Sequence, residues 1–137
     1  MNSINDLFDA YKAAVFQKDA DRFLELFDKN VRVFDMWAWQ YDGLPAWREM
    51  VTGWFSSLET ERDVVTFDDI RIEESGDFGV ASAFLRFAAV SEKGEELRFL
   101  QNRLTWVVRK KEGAWKIIHE HTSGPVDGST MKVQLQR

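Results

Sequence analysis

Two periodicities divide the chain. Over most of residues 1–58 apolar side chains recur every three or four positions, which predicts helices, and from Arg62 onward they recur every two, which predicts strands. Ser3 and Asp19 are suitable N-caps for the first two helices, and Pro45 suits the first turn of the third. The three apolar stripes consist of Ile4, Leu7, Phe8, Tyr11 and Val15, then Phe23, Leu24, Leu26 and Phe27, then Trp47, Met50, Val51, Trp54, Phe55 and Leu58.

The remaining pattern predicts a strand-rich second half. Val65 and Phe67 have one parity while Ile70 and Ile72 have the other, so we expect a β-bulge near Asp68–Asp69. Predicted strands cover 31–37, a stretch from Arg62 through Ile72, then 78–90, 97–109 and 115–123, with a further short edge strand at 131–135. Helices followed by long antiparallel strands predict an α+β fold in a single domain, 1–137, whose helices cover one face of a curved sheet.

The predicted strand at 78–90 is apolar on both parities, which bears on the oligomeric state. If helices cover one face, Leu85, Phe87 and Ala89 on the other face need a cover as well. A second copy of the sheet is the simplest cover, so the pattern predicts a homodimer formed through the sheet.

Composition narrows the class of function. The net charge of −5 argues against a nucleic-acid partner, because counterion release needs clustered Lys and Arg. No apolar run approaches the roughly 18 residues of a membrane span, and the acidic start MNSINDLFDAY does not resemble a signal peptide, so we expect a cytoplasmic protein that binds no membrane. Six Trp and eleven Phe favour a pocket for a flat organic ligand.

Strand parity indicates which polar side chains point inward. On the last strand His119 and His121 share a face with Trp115 and Ile117, whereas Glu120 points away. By the same test Asn102 and Trp106 point inward on 97–109, and Asp35 and Arg86 are further inward candidates. Buried charges are costly unless they are paired or face a ligand. The sequence leaves both alternatives open: a ligand pocket, or a structural network such as an Arg86–Asp35 pair.

The His-x-His spacing of His119 and His121 raises the question of a metal. Two imidazoles make a poor site, and a third ligand would have to come from Asp35 or Glu120, of which Glu120 is predicted to point away. The absence of Cys removes thiolate ligands and nucleophiles. We therefore expect neither a metal nor a cofactor.

The order of elements and the ending NRLTWVVRKKEGAWKIIHEHTSGPVD resemble the SnoaL-like branch of the nuclear transport factor 2-like superfamily. The ending is also similar to the association (hub) domain of calcium/calmodulin-dependent protein kinase II. The resemblance implies a cone-shaped fold, in which three helices are wrapped by a strongly bent, mostly antiparallel sheet that encloses a cavity and forms dimers. The residues that carry this closing signature are Thr105, Gly113, Trp115, His119, His121 and Ser123.

Ketosteroid isomerases share this fold, and the resemblance places Tyr11 at their tyrosine and Asp35 at their base. Trp106 stands where the isomerases have a protonated Asp, so the oxyanion hole would lack one strong donor. In the hub domain, a cavity arginine corresponds to Arg86, and a second one falls at Trp106. The comparison implies that His119 lies deeper, beside the cavity floor, and that His121 anchors the turn that follows.

Two hypotheses of function result. The first is a cofactor-free isomerase, cyclase or dehydratase, in which Asp35 abstracts a proton next to a carbonyl and Tyr11 or His119 donates to the enolate. The second is a binding or oligomerisation module without turnover, for a small apolar or aromatic molecule with a polar or anionic group. Its ligand-binding residues would be Arg86, Asn102, His119, Trp37, Trp54 and Trp106.

Overall fold

A computed structural model of the chain describes residues 1–136, all of the predicted domain but its last residue, and shows three helices packed on one side of a curled, unclosed six-stranded sheet. The α+β prediction is confirmed. The helices are α1 (Ile4–Gln17), α2 (Ala20–Leu24) and α3 (Leu44–Ser57). The strands are β1 (Phe27–Phe34), β2 (Tyr41–Asp42), β3 (Arg62–Ser75), β4 (Phe78–Val90), β5 (Glu96–Lys111) and β6 (Ala114–Ser123).

The helices begin where their caps predict. Ser3 and Asp6 form a reciprocal capping box at α1, and the Asp19 side chain accepts a hydrogen bond from the Arg22 amide at the start of α2. The second helix is shorter than its apolar stripe predicts, because Phe27 already pairs with Ile117 and the Leu26 carbonyl accepts from the Ile117 amide at 2.8 Å. Tertiary strand pairing overrides the local helical pattern there.

The sheet has the strand order β2-β1-β6-β5-β4-β3, in which only β1 and β6 run parallel. This arrangement makes the first strand a neighbour of the last. The predicted strand at 31–37 ends early, at Phe34, so that Asp35 lies just beyond the strand, where Thr122 of β6 donates to it. The inward parity of Asp35 with Val31 and Val33 is confirmed, since both valines are fully buried.

Register shifts interrupt the pairing of the long strands at several points, two of which lie in β3 and β6. The one predicted near Asp68–Asp69 is present, with Asp69 in the left-handed region at φ +52°. The second was not predicted: Val108 pairs with Ile117 but Val107 pairs with His119, so that Ile118 is the extra residue in β6. Every side chain after Ile118 therefore faces the opposite side from the one that simple alternation predicts.

The core fills the space between the helices and the inner face of the sheet. An aromatic cluster lies at its centre, with the rings of Phe8 and Trp106 4.4 Å apart and those of Phe8 and Phe67 4.8 Å apart. Leu85, Phe87 and Ala89 of β4 lie on this inner side, so their predicted position on the uncovered face is wrong. Phe84 and Arg86 have the outward parity.

The chain after β6 folds back over the sheet. The predicted edge strand at 131–135 is wrong for the described residues: Val133 makes one isolated bridge with Val126, and the Leu135 carbonyl accepts from the Gln101 amide at 2.6 Å. Gly124 allows this return, since a Cβ there would lie 2.7 Å from a Val133 methyl group and 2.8 Å from the Gln134 carbonyl. Within residues 1–136, the helices are all too short or too polar to cross a membrane.

Candidate functional site

A cavity of about 540 Å³ opens where the core ends, between the helices, the inner face of the sheet and the returning C-terminal segment. Its walls are mainly apolar and aromatic, as is typical of small-molecule sites. Aromatic and apolar lining residues include Trp37, Tyr41, Trp47, Trp54, Phe87 and Leu135. Its polar lining comprises Tyr11, Asp35, Asp63, Arg98, Asn102, Glu120 and Thr122.

Asp35 is placed in this cavity by the end of β1. Its carboxylate accepts from the Thr122 hydroxyl at 3.3 Å, and the same hydroxyl accepts from the Met36 amide at 3.1 Å. Burial raises the pKa of Asp35. Hydrogen bonds from the Trp37 backbone and from Thr122 lower the pKa, but burial outweighs them. Among residues 1–136, none of the ion pairs includes Asp35. The structural alternative of an Arg86–Asp35 pair is therefore wrong.

Tyr11 reaches the cavity from α1 and is 4% exposed. Its ring packs against Phe23, Phe67 and Trp106. Burial raises the pKa of Tyr11 well above its ordinary value, and the carboxylates of Glu120, Asp35 and Asp63 raise it further. Tyr11 is thus held as a neutral phenol, within electrostatic reach of three acids.

Glu120 is a cavity residue that sequence parity missed. The bulge at Ile118 turns it inward, where it is 2% exposed and accepts a hydrogen bond from the Trp106 indole at 2.9 Å. Burial raises the pKa of Glu120 to about 7, the Trp106 hydrogen bond lowers it, and Asp35 raises it. Only the structure reveals this carboxyl group, because nothing in the sequence KIIHE distinguishes a bulged strand from a regular one.

Asp63, on β3, is the third acid of the lining and is 8% exposed. Its carboxylate accepts a hydrogen bond from the Trp54 indole at 3.0 Å. Burial raises the pKa of Asp63, and that hydrogen bond and Arg98 offset part of the rise. A signal for Asp63 was present, since it shares parity with the inward Val65. Arg98 lies at the rim, where it is paired with Glu61 at 2.6 Å.

Two buried polar atoms of the lining have no hydrogen-bond partner. The Trp47 indole nitrogen is unpaired although that residue is only 2% exposed. The Asn102 side-chain oxygen is unpaired as well, while its amide nitrogen contacts the Met36 sulfur at 3.1 Å. Buried groups of this kind cost free energy unless a ligand or water satisfies them. The inward position predicted for Asn102 is confirmed.

Several predicted site residues lie elsewhere. His119 points to the outer face, where its Nδ1 bonds with the Arg32 carbonyl at 2.8 Å, because the bulge reverses its side. His121 is exposed and packs edge-on against Phe34, rather than inward. Arg86 also lies on the outer side, with Glu96 at 3.0 Å and its guanidinium 4.2 Å from the Phe99 ring centre.

The predicted tryptophan walls are divided between cavity and core. Trp54 lines the cavity, and Trp37 lies at its mouth with 62% of its surface exposed. Trp106 is wrong as a wall: it is fully buried beside Phe8 and reaches the cavity only through its bond to Glu120. For residues 1–136, no group of three His, Asp or Glu side chains is arranged to hold a metal ion.

The helices, the curled sheet and the cavity at its open end give the chain the nuclear transport factor 2-like fold. The sequence profile of the SnoaL-like domain matches residues 4–127, and the chain belongs to that family. No curated protein matches the sequence.

Solved structures agree on the fold. A nuclear transport factor 2-like protein of unknown function from Pseudomonas putida KT2440 has a TM-score of 0.84 at 24% identity, covering 98% of this chain and 92% of its own. A Xanthomonas campestris protein, proposed to be a calcium/calmodulin dependent protein kinase II association domain, has a TM-score of 0.71 at 18% identity. The match covers 88% of this chain and 84% of that protein. A Novosphingobium aromaticivorans protein, proposed to be an aromatic ring hydroxylase, has a TM-score of 0.73 at 22% identity. The match covers 87% of this chain and 84% of that protein.

Proposed function

We propose that the cavity binds a small, largely apolar carbonyl compound and that Asp35 abstracts the proton next to that carbonyl. The observation that carries the proposal is the state of Asp35: a half-buried carboxylate that lines the cavity with no cation paired to it. A carboxylate in this setting is a stronger base than one in water, because burial raises its pKa. A base next to an apolar cavity of about 540 Å³ suits a substrate of a few fused or linked rings.

The chemistry needs a donor for the oxygen that becomes negative. Asp35 takes the α-proton, the C–H electron pair forms the enolate, and the Tyr11 hydroxyl donates a hydrogen bond to the enolate oxygen. Returning the proton from Asp35 to another carbon completes an isomerisation. Loss of a β-hydroxyl group as water, with that proton, completes a dehydration, and attack of the enolate carbon on a second carbonyl completes a cyclisation.

Glu120 supplies the second donor that the sequence comparison lacked. Trp106 and Glu120 are directly paired across β5 and β6, so the carboxyl group sits on the strand beside the position expected for an acid. With its pKa at about 7, Glu120 is largely a neutral carboxylic acid below that pH and can donate a proton or a hydrogen bond. Asp35 and Glu120 thus form a base and an acid in one cavity.

A general-base role can be tested without knowing the natural substrate. A panel of β,γ-unsaturated cyclic ketones, from cyclohex-3-enone to bicyclic analogues, is followed by the absorbance of the conjugated product, and α-proton exchange in D₂O is followed by NMR. We expect Asp35→Asn to lower the rate at least about 100-fold, and Tyr11→Phe roughly 10²–10³-fold. The control is Asp68→Asn, which removes the same charge from the exposed side of β3.

Two results decide the question. The wild-type rate should rise with pH as Asp35 ionises, and Asp35→Asn should remove that limb of the profile. If no ketone isomerises or exchanges faster with wild type than with Asp35→Asn, the base role is wrong.

The second candidate function is ligand binding without turnover. It is favoured by the two unpaired atoms of Trp47 and Asn102, which can fix a ligand but take no part in proton transfer. Under this alternative the panel compounds bind wild type and Asp35→Asn with similar affinity and none reacts. Calorimetric titration beside the kinetic assay separates the two functions.

We further propose a homodimer through the outer face of the sheet. Val64 and Val80 are exposed on this face, 37% and 49%, and the outward Phe84 lies between them along β4. Light scattering should then give twice the 16.0 kDa chain mass at micromolar concentration. Val80→Arg should reduce it to one chain, and a single-chain mass for the wild type would contradict the proposal.

A further inference from the structure

The cavity has an excess of negative charge. Asp35, Asp63 and Glu120 all line it together with Tyr11, whose pKa each of them raises. Of the described lining residues only Arg98 is cationic, and its guanidinium is already paired with Glu61 at 2.6 and 3.5 Å. A ligand carboxylate would meet the carboxylates of Asp35 and Asp63 and no available cation, so the cavity disfavours anionic ligands.

Aromatic rings lie beside the acids in the cavity lining. Trp54 donates to Asp63 at 3.0 Å and packs against Phe87 at 5.7 Å between ring centres. Trp47 and Tyr41, also in the lining, have ring centres 5.4 Å apart. The negative face of an aromatic ring attracts an organic cation, and the attraction grows in a desolvated site. A carboxylate beside aromatic rings is an environment that suits a protonated amine.

Two unpaired atoms give independent information on the ligand. The indole nitrogen of Trp47 is a donor only, so its missing partner is an acceptor such as a carbonyl oxygen. The side-chain oxygen of Asn102 is an acceptor, so its partner is a donor such as N–H or O–H. Both residues are more than nine-tenths buried and line the cavity. A ligand that carries both kinds of group would therefore satisfy both atoms.

We infer that the molecule bound here is a small organic cation: a flat apolar body that carries a carbonyl oxygen and a protonated amine, with the amine facing Asp63 and the ring of Trp54. The inference rests on the proposed function and names its substrate class. Asp35 remains the base for the carbonyl end, and Asp63 is a binding residue. Burial raises the pKa of Asp63, and the Trp54 hydrogen bond and Arg98 partly oppose that shift. A protonated amine beside Asp63 would favour its ionised form further.

The test compares three head groups on one ring system. Calorimetry at pH 7.5 measures the affinity of 2-(1-naphthyl)ethylamine, of 2-(1-naphthyl)ethanol and of 1-naphthylacetate for the wild-type chain. We expect the amine to bind at least about tenfold more tightly than the alcohol, and the carboxylate more weakly than both. Asp63→Asn keeps an oxygen for the Trp54 indole and should abolish the amine preference with little change for the alcohol. Asp68→Asn should keep the preference.

Each outcome has a distinct meaning. Four results would overturn the inference. In the wild type they are equal binding of amine and alcohol, binding of the carboxylate as tight as that of the amine, and no binding of any of the three at millimolar concentration. The fourth is an unchanged amine preference in Asp63→Asn. None of these results touches the ketone assay of Asp35. Conversely, an amine preference lost in Asp63→Asn supports the inference even if no ketone isomerises, in which case the catalytic proposal fails alone.

Discussion

Glu120→Gln tests whether a buried acid limits the stability of this protein. The substitution keeps the shape of the side chain and an oxygen for the Trp106 indole, whose hydrogen bond to Glu120 is 2.9 Å long. It removes one ionisable group from a position that is 2% exposed. We expect the wild type to lose stability as pH rises through the neutral range, and Glu120→Gln to lose much less.

The magnitude follows from the pKa of Glu120, which burial raises from 4.5 to about 7. Between these values the folded state holds a proton that the unfolded state has released, so the free energy of unfolding falls as pH rises. At roughly 1.4 kcal/mol per pKa unit, the decrease amounts to about 3 kcal/mol between pH 4.5 and 7 and levels off above pH 7. Asp35, which raises the pKa of Glu120, contributes with the same sign.

Urea unfolding at pH 5, 6, 7 and 8 at fixed ionic strength, followed by tryptophan fluorescence, gives the free energy of unfolding for both chains. The difference between Glu120→Gln and wild type should shift in favour of the variant by about 3 kcal/mol from pH 5 to pH 8. Glu92→Gln makes the same chemical change at an exposed turn and should leave the wild-type profile unchanged. Parallel profiles for wild type and Glu120→Gln would refute the reasoning.

Three further outcomes are expected. Trp106→Phe leaves the Glu120 carboxyl group without its hydrogen-bond donor and should lower the free energy of unfolding in urea by about 1–3 kcal/mol. The decrease should be larger at pH 8 than at pH 5, and an equal decrease at both pH values would contradict this. Gly124→Ala forces a Cβ to 2.7 Å from Val133, so hydrogen exchange should speed up in residues 125–136, and unchanged protection would argue against that contact. Arg86→Ala, on the outer side, should leave cavity ligand affinity unaltered by calorimetry, whereas a weakened affinity would return Arg86 to the site.

The sequence was a good guide wherever local periodicity and side-chain burial agree. The caps at Ser3 and Asp19, the bulge beside Asp69 and the inward side chain of Asn102 all follow from short-range patterns. Asp35 shares parity with Val31 and Val33, which pointed to the interior, although the apolar Phe34 and Met36 on the other parity left the sequence signal divided.

The errors come from long-range pairing. Parity counted along β6 from Trp115 fails at Ile118, because the bulge there is fixed by pairing with β5 and leaves no mark in the sequence. The same count put His119 in the cavity and Glu120 outside. Arg86 was misplaced for a related reason: β4 is apolar on both sides, so its sequence could not show which parity faces the helices.

The bulge at Ile118 also affects how site residues are transferred between SnoaL-like chains. On either side of β6 lies a polar pair two residues apart, His119 with His121 and Glu120 with Thr122, and the one-residue shift in pairing decides which pair the cavity receives. Two relatives can have identical residues at these positions while one has the bulge and the other a regular strand. The bulged one would hold a carboxyl group in its cavity, and the regular one would hold imidazoles there. Equivalence at this strand is therefore a property of the hydrogen-bond ladder, and an alignment column there can join an interior residue of one protein to a surface residue of its relative.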